Sequence, residues 1–228
     1  MIEHKLFPTL LTEFHYPDKD KFKEKFVKNI FKYCTPEGHS SEATGHVNLH
    51  HEKQFEGLFK FATQSAKQYV ERLNIDSSKF DFNIIKTWMN IKKNAATPTH
   101  SHGDAHVSFT YYINMPPNCS LPIRFHNHAT RHEPYPGSIR HNNTKQIWDE
   151  LNSETWLFTP KEGQMFVFPA SFPHDTIGEP FMQLESGITK QNILQHRLCL
   201  AGDILLTYKQ KTASHLGVQP VSNWRNFE

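Results

Sequence analysis

Four imidazole or carboxylate side chains fall two residues apart in the segment PTHSHGDAHVSFTYYIN: His100, His102, Asp104 and His106. On an extended strand, residues i and i+2 project to one face, so neighbouring members of this series could grip a single ion. His102 and Asp104 form a His-x-Asp pair, and imidazole with carboxylate suits a borderline-hard divalent metal such as Fe(II) or Mn(II). A third ligand must come from elsewhere, and His174 offers one at the start of a strand in GQMFVFPASFPHDTIG. A His-x-Asp pair, a gap of about 70 residues and a His after a Phe-Pro strand make the sequence form of a facial two-histidine, one-carboxylate set, which leaves metal positions open for other ligands. The plainer reading of the first cluster is surface histidines beside a β-turn at Gly103. Arg197 is the other chemical group of interest. In QHRLCLAGD a strand would place Arg197, Cys199 and Ala201 on one face and Leu198 and Leu200 on the other. A guanidinium among apolar strand residues is costly unless it meets an anion, and it binds carboxylates in a two-toothed fork. The alternative partner is a local acid such as Asp203.

The elements that must carry these groups are legible as patterns. Residues 18–34 place Phe22, Phe26, Ile30 and Phe31 at helical spacing behind Asp18, a candidate N-cap, with lysines on the other face. Residues 52–74 repeat the pattern with Phe55, Leu58, Phe59, Phe61, Ala62, Ala66, Tyr69, Val70 and Leu73. From residue 80 the texture becomes that of strands: FDFNIIKTWMNI, HVSFTYYINM, LPIRFHNH, TWLFTP, GQMFVFPA, HDTIG, QHRLCLAGD and DILLTYK, separated by Gly, Pro and Asn turns. Many short strands predict an all-β sandwich or jelly roll with the helices packed outside. The segment between Ala129 and Asn152 has no period of its own and reads as a lid or binding loop. The expected organisation is one domain over 1–228, with a helical N-terminal part (1–79), a jelly-roll core (80–210) and a C-terminal tail (211–228).

Composition removes several classes. Lys and Arg number 25 against 23 acids, a formal charge of +2, which argues against a nucleic-acid coat. The 16 histidines outnumber the 14 prolines and the 10 glycines, and it is their placement that matters. No apolar run approaches the roughly 20 residues of a membrane span. The N-terminal MIEHKLFPTLLTEF does not read as a secretory signal. Cys34, Cys119 and Cys199 are far apart and form no Cys-x-x-Cys, so neither a disulfide framework nor a cysteine zinc site is expected; a reducing cytoplasm is.

LFPT, KTWMNI, HSHGDAHVSFTYYI, GQMFVFPASFPH and HRLCLAGD occur in this order along the chain. In these motifs the sequence resembles the Fe(II)/2-oxoglutarate-dependent oxygenases, specifically a small bacterial and phage branch of them. The resemblance implies a double-stranded β-helix (a cupin-like jelly roll), Fe(II), the cosubstrate 2-oxoglutarate and O2. It implies that His174 is the distal metal ligand and that Arg197 binds the far (C5) carboxylate of 2-oxoglutarate. Cys199 stands where the family's Arg-x-Ser arrangement has serine. The branch's dependable motif is His-x-His, matching His100 and His102, so two ligand sets stand open. One is His102, Asp104 and His174, the preferred set because two neutral histidines and one carboxylate are usual for such iron. The other is His100, His102 and His174. A phenol hydrogen bond to the cosubstrate would come from Tyr111 or Tyr112, of which alternation turns only one inward; Tyr112 is the candidate.

The activity implied is dioxygenation, a hydroxylation of the prolyl-hydroxylase kind, in which oxidative decarboxylation of 2-oxoglutarate to succinate drives oxidation of a small-molecule or peptide substrate. The cytoplasm would be a host's if the chain is phage-encoded. Two other classes compete: a metal-binding cupin-like module without redox turnover, and an interaction protein whose jelly roll has lost its metal. His126 and His128 repeat the i, i+2 pattern without a nearby carboxylate and read as a cleft-lining pair. His132 and His141 fall in the long loop, and His46, His50 and His51 in an earlier one. Trp88 and Trp156 read as strand-packing aromatics.

Overall fold

The structure is a computed structural model. It describes residues 9–32, 48–92, 96–117, 119, 121–127, 153–178, 188–209 and 217–227. Cys34, His46, His128, His132, His141 and the segment 129–152 lie outside these, as do residues 211–216 and 228 of the tail.

Two antiparallel sheets carry the fold. The larger contains β1 (Thr12–His15), β2 (Phe80–Lys92), β4 (Val107–Asn114), β7 (Gln164–Pro169) and β9 (Arg197–Tyr208), in the order β1-β7-β4-β9-β2. The smaller contains β3 (Thr97–His100), β5 (Ile123–His126), β6 (Thr155–Phe158) and β8 (His174–Thr176), in the order β3-β8-β5-β6. Sheet-pairing partners far apart in sequence and two facing sheets make the expected double-stranded β-helix. Helices α1 (Lys19–Asn29) and α2 (Glu56–Arg72) cover the outer face of the larger sheet.

Side-chain alternation decides what each strand contributes. On β4, Phe109, Tyr111 and Ile113 point to the helices, where they meet Phe22, Phe26, Phe55, Phe59 and Tyr69. Met165 and Val167 of β7 and Leu198, Leu200 and Ile204 of β9 join them. The opposite faces look inward: Tyr112, Phe166, Phe168 and Cys199 pack with Ile123 and Phe125 of the smaller sheet. Both faces of β4 are therefore buried along its whole length, its polar Ser108, Thr110 and Asn114 included. The helices follow the sequence spacing, Phe22 and Phe26 one turn apart on α1 and Leu58, Ala62, Ala66 and Tyr69 on α2. Asp18 does stand at the N-cap of α1, but its side chain makes no capping hydrogen bond.

Two expectations change. The segments QHRLCLAGD and DILLTYK are one strand, β9, not two. Gly202-Asp203 looks like a turn in sequence, yet Gly202 sits mid-strand because Phe109 packs against its backbone: a Cβ there would lie 2.6 Å from Phe109 Cζ. The histidine motif is also not one strand. β3 ends at His100, His102 follows it, and Gly103 and Asp104 form a turn before β4 begins at Val107. The i, i+2 rule therefore stops short of Asp104.

Candidate metal and cosubstrate site

Three elements bring the histidines together. His100 and His174 are direct register partners across the β3–β8 pair, although 74 residues separate them. His102 is fixed by its backbone N–H, which donates to the Ala170 carbonyl at 2.8 Å in the turn between β7 and β8. His106 closes the same loop: its carbonyl accepts from Ala170 N–H at 3.1 Å and its own N–H donates to Ile204 O at 3.1 Å. The result is a group in which one ligand atom from each of His100, His102 and His174 lies within 4.8 Å of the others.

The outer nitrogen of each ring has an acceptor. His100 Nδ1–H donates to Pro98 O at 2.8 Å, His174 Nδ1–H to Phe172 O at 2.8 Å, and His102 Nδ1–H to Asp203 Oδ1 at 2.6 Å. Nδ1–H donation fixes the tautomer that keeps a lone pair on Nε2, the form in which imidazole binds metal. Burial also holds His174 neutral, pushing its imidazole down to about 4 against the opposing pull of the Phe172 carbonyl.

Asp104 does not join this group. It lies exposed on the turn, at the rim of the same cavity. The set that the structure gathers is His100, His102 and His174; the preferred His102, Asp104 and His174 set is not gathered, because the chain leaves extended geometry after His100. His106 is exposed and directed elsewhere, its Nδ1 accepting from Leu206 N–H at 3.1 Å.

The cavity around these rings has a volume of about 840 Å³, of the size that holds small ligands. Arg197 and Cys199 line one side of it with Thr110, Tyr112 and Thr176. Arg197 is 3% exposed. It meets no acid among the described residues: Nη1 donates to Leu121 O at 3.1 Å, Nη2 reaches Thr176 Oγ1 at 3.5 Å, and Nε is buried with no acceptor. The expected alternative, a pair with Asp203, is therefore wrong; Asp203 belongs to His102. Asn114 sets the start of β9, its Nδ2 donating to Leu194 O at 3.0 Å and His196 O at 2.7 Å immediately before Arg197.

Alternation separates the two tyrosines. Tyr112 faces the cavity, with the Arg197 guanidinium 5.6 Å from its ring centroid. Tyr111 faces the helices, edge-on to Tyr16 and Phe22. Burial pushes the Tyr112 phenol above its ordinary range and likewise raises the Cys199 thiol, so both are neutral.

Several residues that bear on the site were not foreseen. Trp88 is not simply a strand-packing aromatic: its ring lies 5.3 Å from that of His102, with Lys86 Nζ 5.0 Å above it. Asn90, two residues on, lines the cavity with a buried Oδ1 that has no donor. Period-2 alternation along β2 could have grouped Lys86, Trp88 and Asn90. Asp203 and Ser108 had no such signal. His126 does have a carboxylate: Asp175 Oδ2 accepts from its Nε2 at 2.8 Å, from Thr99 Oγ1 at 2.8 Å and from Arg124 Nη2 at 2.7 Å.

Comparison with known proteins agrees with this geometry. Residues 86–186 match the family model described as "Putative 2OG-Fe(II) oxygenase". No curated protein matches the chain. Among solved structures, a Pseudomonas putida prolyl-4-hydroxylase is similar over 86% of this chain and 92% of its own, at 13% identity and a TM-score of 0.50. The α-ketoglutarate-dependent epimerase SnoN of nogalamycin biosynthesis is similar over 95% of this chain and 85% of its own, at 9% identity and a TM-score of 0.52. The chain spans 46% of a 2OG-Fe(II) oxygenase family oxidoreductase from Burkholderia pseudomallei, with 10% identity over 56% of this chain and a TM-score of 0.35. Three convergent imidazoles and a buried guanidinium with an orphaned Nε fit a divalent metal and a carboxylate-bearing cosubstrate. Over residues 86–186 the chain is thus similar to the family described as putative 2OG-Fe(II) oxygenase, and its fold is that of solved 2OG oxygenases.

Proposed function

We propose that the chain is an Fe(II)- and 2-oxoglutarate-dependent dioxygenase that acts as a hydroxylase on a small-molecule or peptide substrate. The carrying observation is that one cavity holds both the imidazole group of His100, His102 and His174 and the acid-free guanidinium of Arg197. In this reading the three Nε2 atoms hold the iron, and Asp104 stays at the rim.

Bound iron with 2-oxoglutarate supplies activation of O2 coupled to oxidative decarboxylation of the cosubstrate. The chain's own residues do the rest. Arg197 receives the C5 carboxylate, and its unused Nε is the donor that this contact satisfies. The neutral phenol of Tyr112 and the hydroxyls of Thr110 and Thr176 offer further donors on that wall. Cys199, hydrogen-bonded to Thr110 at 3.3 Å between Sγ and Oγ1, replaces a hydroxyl donor by a weaker thiol. Ile123 and Phe168 make that wall apolar and exclude water, while Lys86, Trp88 and Asn90 form the side from which substrate approaches His102.

The test is turnover: purified chain with Fe(II), ascorbate and 2-oxoglutarate should release succinate in an O2-dependent manner, stimulated by substrate. A chain that binds metal yet neither binds 2-oxoglutarate nor yields succinate would instead be a non-redox binding module.

A further inference from the structure

A site of three imidazoles is neutral, whereas the commoner set for non-haem Fe(II) oxygenases brings its own negative charge. The structure supplies a carboxylate one bond further out. Asp203 is 4% exposed, and its Oδ1 accepts from His102 Nδ1 at 2.6 Å and from Ser108 Oγ at 2.6 Å. Among the described residues no lysine or arginine pairs with it, and His102 is its one ionic partner. The other buried acid, Asp175, is treated differently: Arg124 grips it through both Nε and Nη2.

A buried carboxylate without a cation is costly, and a neutral acceptor would satisfy the His102 N–H equally well. His100 and His174 show this, since both donate to backbone carbonyls. His102 has an anionic acceptor, at a separation typical of charge-assisted hydrogen bonds. The backbone fixes the arrangement. Ser108 and Asp203 are register partners on β4 and β9, and Gly202, pressed against Phe109, precedes Asp203.

We propose that Asp203 is a positioning residue that supplies, through His102, the negative charge missing from a three-histidine iron site. This rests on the functional reading above. The carboxylate orients the His102 ring, holds its Nδ1–H tautomer and raises electron density at Nε2, so that His102 takes the part that an acidic ligand would otherwise play. Ser108 keeps Oδ1 aimed at the ring.

Co(II) titration, followed by its visible absorption, tests the proposal on the wild-type chain and on Asp203→Asn, Ser108→Ala and His174→Ala. Asp203→Asn keeps a carbonyl oxygen for the His102 N–H and removes only the charge. Its Co(II) affinity should fall about 10- to 100-fold. Its metal-free form should melt no lower than wild type, because a buried unpaired charge has gone. Loss of affinity without loss of stability is a result that a structural role for Asp203 would not give. The Fe(II)–2-oxoglutarate charge-transfer band should also move to shorter wavelength, as iron becomes harder to oxidise. Ser108→Ala, which retains the charge, should lose less affinity than Asp203→Asn. Asp203→Asn binding Co(II) within twofold of wild type, with the band unmoved, overturns the inference. If His174→Ala still abolishes binding in that case, the site reading survives alone; a wild-type chain that takes no Co(II) overturns both.

Discussion

The Arg197 guanidinium lies 5.6 Å from the centroid of the Tyr112 ring, buried beside it on the inner face of the larger sheet with no acid opposite among the described residues. A cation held against an aromatic face gains something from the ring quadrupole, but not enough to offset full desolvation. A ligand carboxylate, the partner proposed for Arg197, would account for the position. Arg197→Leu should therefore abolish 2-oxoglutarate binding, read by calorimetry on the Co(II)-loaded chain, while Co(II) affinity stays near wild type. The metal-free variant should melt no lower than wild type. Unchanged cosubstrate affinity would remove Arg197 from its role.

The ligand set can be read residue by residue. Single replacement of His100, His102 or His174 by Ala should each lower bound iron by at least tenfold. Asp104→Ala should retain it, because Asp104 lies on the exposed turn beyond the gathered imidazoles. Metal analysis of the purified variants checks this, and iron lost from Asp104→Ala but kept in His100→Ala would restore the two-histidine, one-carboxylate set.

His174 gives the metal-free protein a pH dependence. Its ring is neutral in the folded state down to about 4, whereas in the unfolded chain it takes up a proton near the ordinary histidine value. Between roughly 6.5 and 4 the unfolded state binds the extra proton, so stability falls as the pH falls through that window. The full effect is on the order of 3 kcal/mol. Urea unfolding of the metal-free chain at several pH values should show it, and His174→Phe should flatten the slope. An unchanged slope in that variant would assign the acid sensitivity to other groups.

Asp175 ties the smaller sheet together behind His174. Burial alone would raise its carboxyl, but hydrogen bonds from Arg124, His126 and Thr99 outweigh it and hold the group below the usual carboxylate range. Asp175→Ala leaves a partly exposed Arg124 and His126 without their acceptor and should cost about 2–4 kcal/mol by urea denaturation. A loss below 0.5 kcal/mol would mean that the network is solvated and weak.

What was legible in the sequence was whatever a single strand or helix encodes. The inward face of β9, with Arg197, Cys199 and Ala201, follows from alternation alone, as does the choice of Tyr112 over Tyr111 once one end of β4 is fixed. Helix faces are similarly local. Pairings across the sheets were not legible, because they depend on register. His100 opposite His174, Ser108 opposite Asp203, and Asp175 beneath Arg124 and His126 join residues 49 to 95 positions apart. Asp104 was misplaced for a local reason: the extended rule was carried two residues past the end of β3, through a turn at Gly103. Gly202 misled in the other direction, since a glycine that admits the Phe109 ring looks the same in sequence as one that makes a turn.

The most direct measurement of the central claim is the visible spectrum of the anaerobic chain with Fe(II) and 2-oxoglutarate. Chelated cosubstrate on a three-histidine iron, anchored by Arg197, should give a broad charge-transfer band that is absent with either component alone and absent in His174→Ala. Admission of O2 should bleach it with formation of succinate. A chain that binds Fe(II) but gives no band and no succinate would contradict the account.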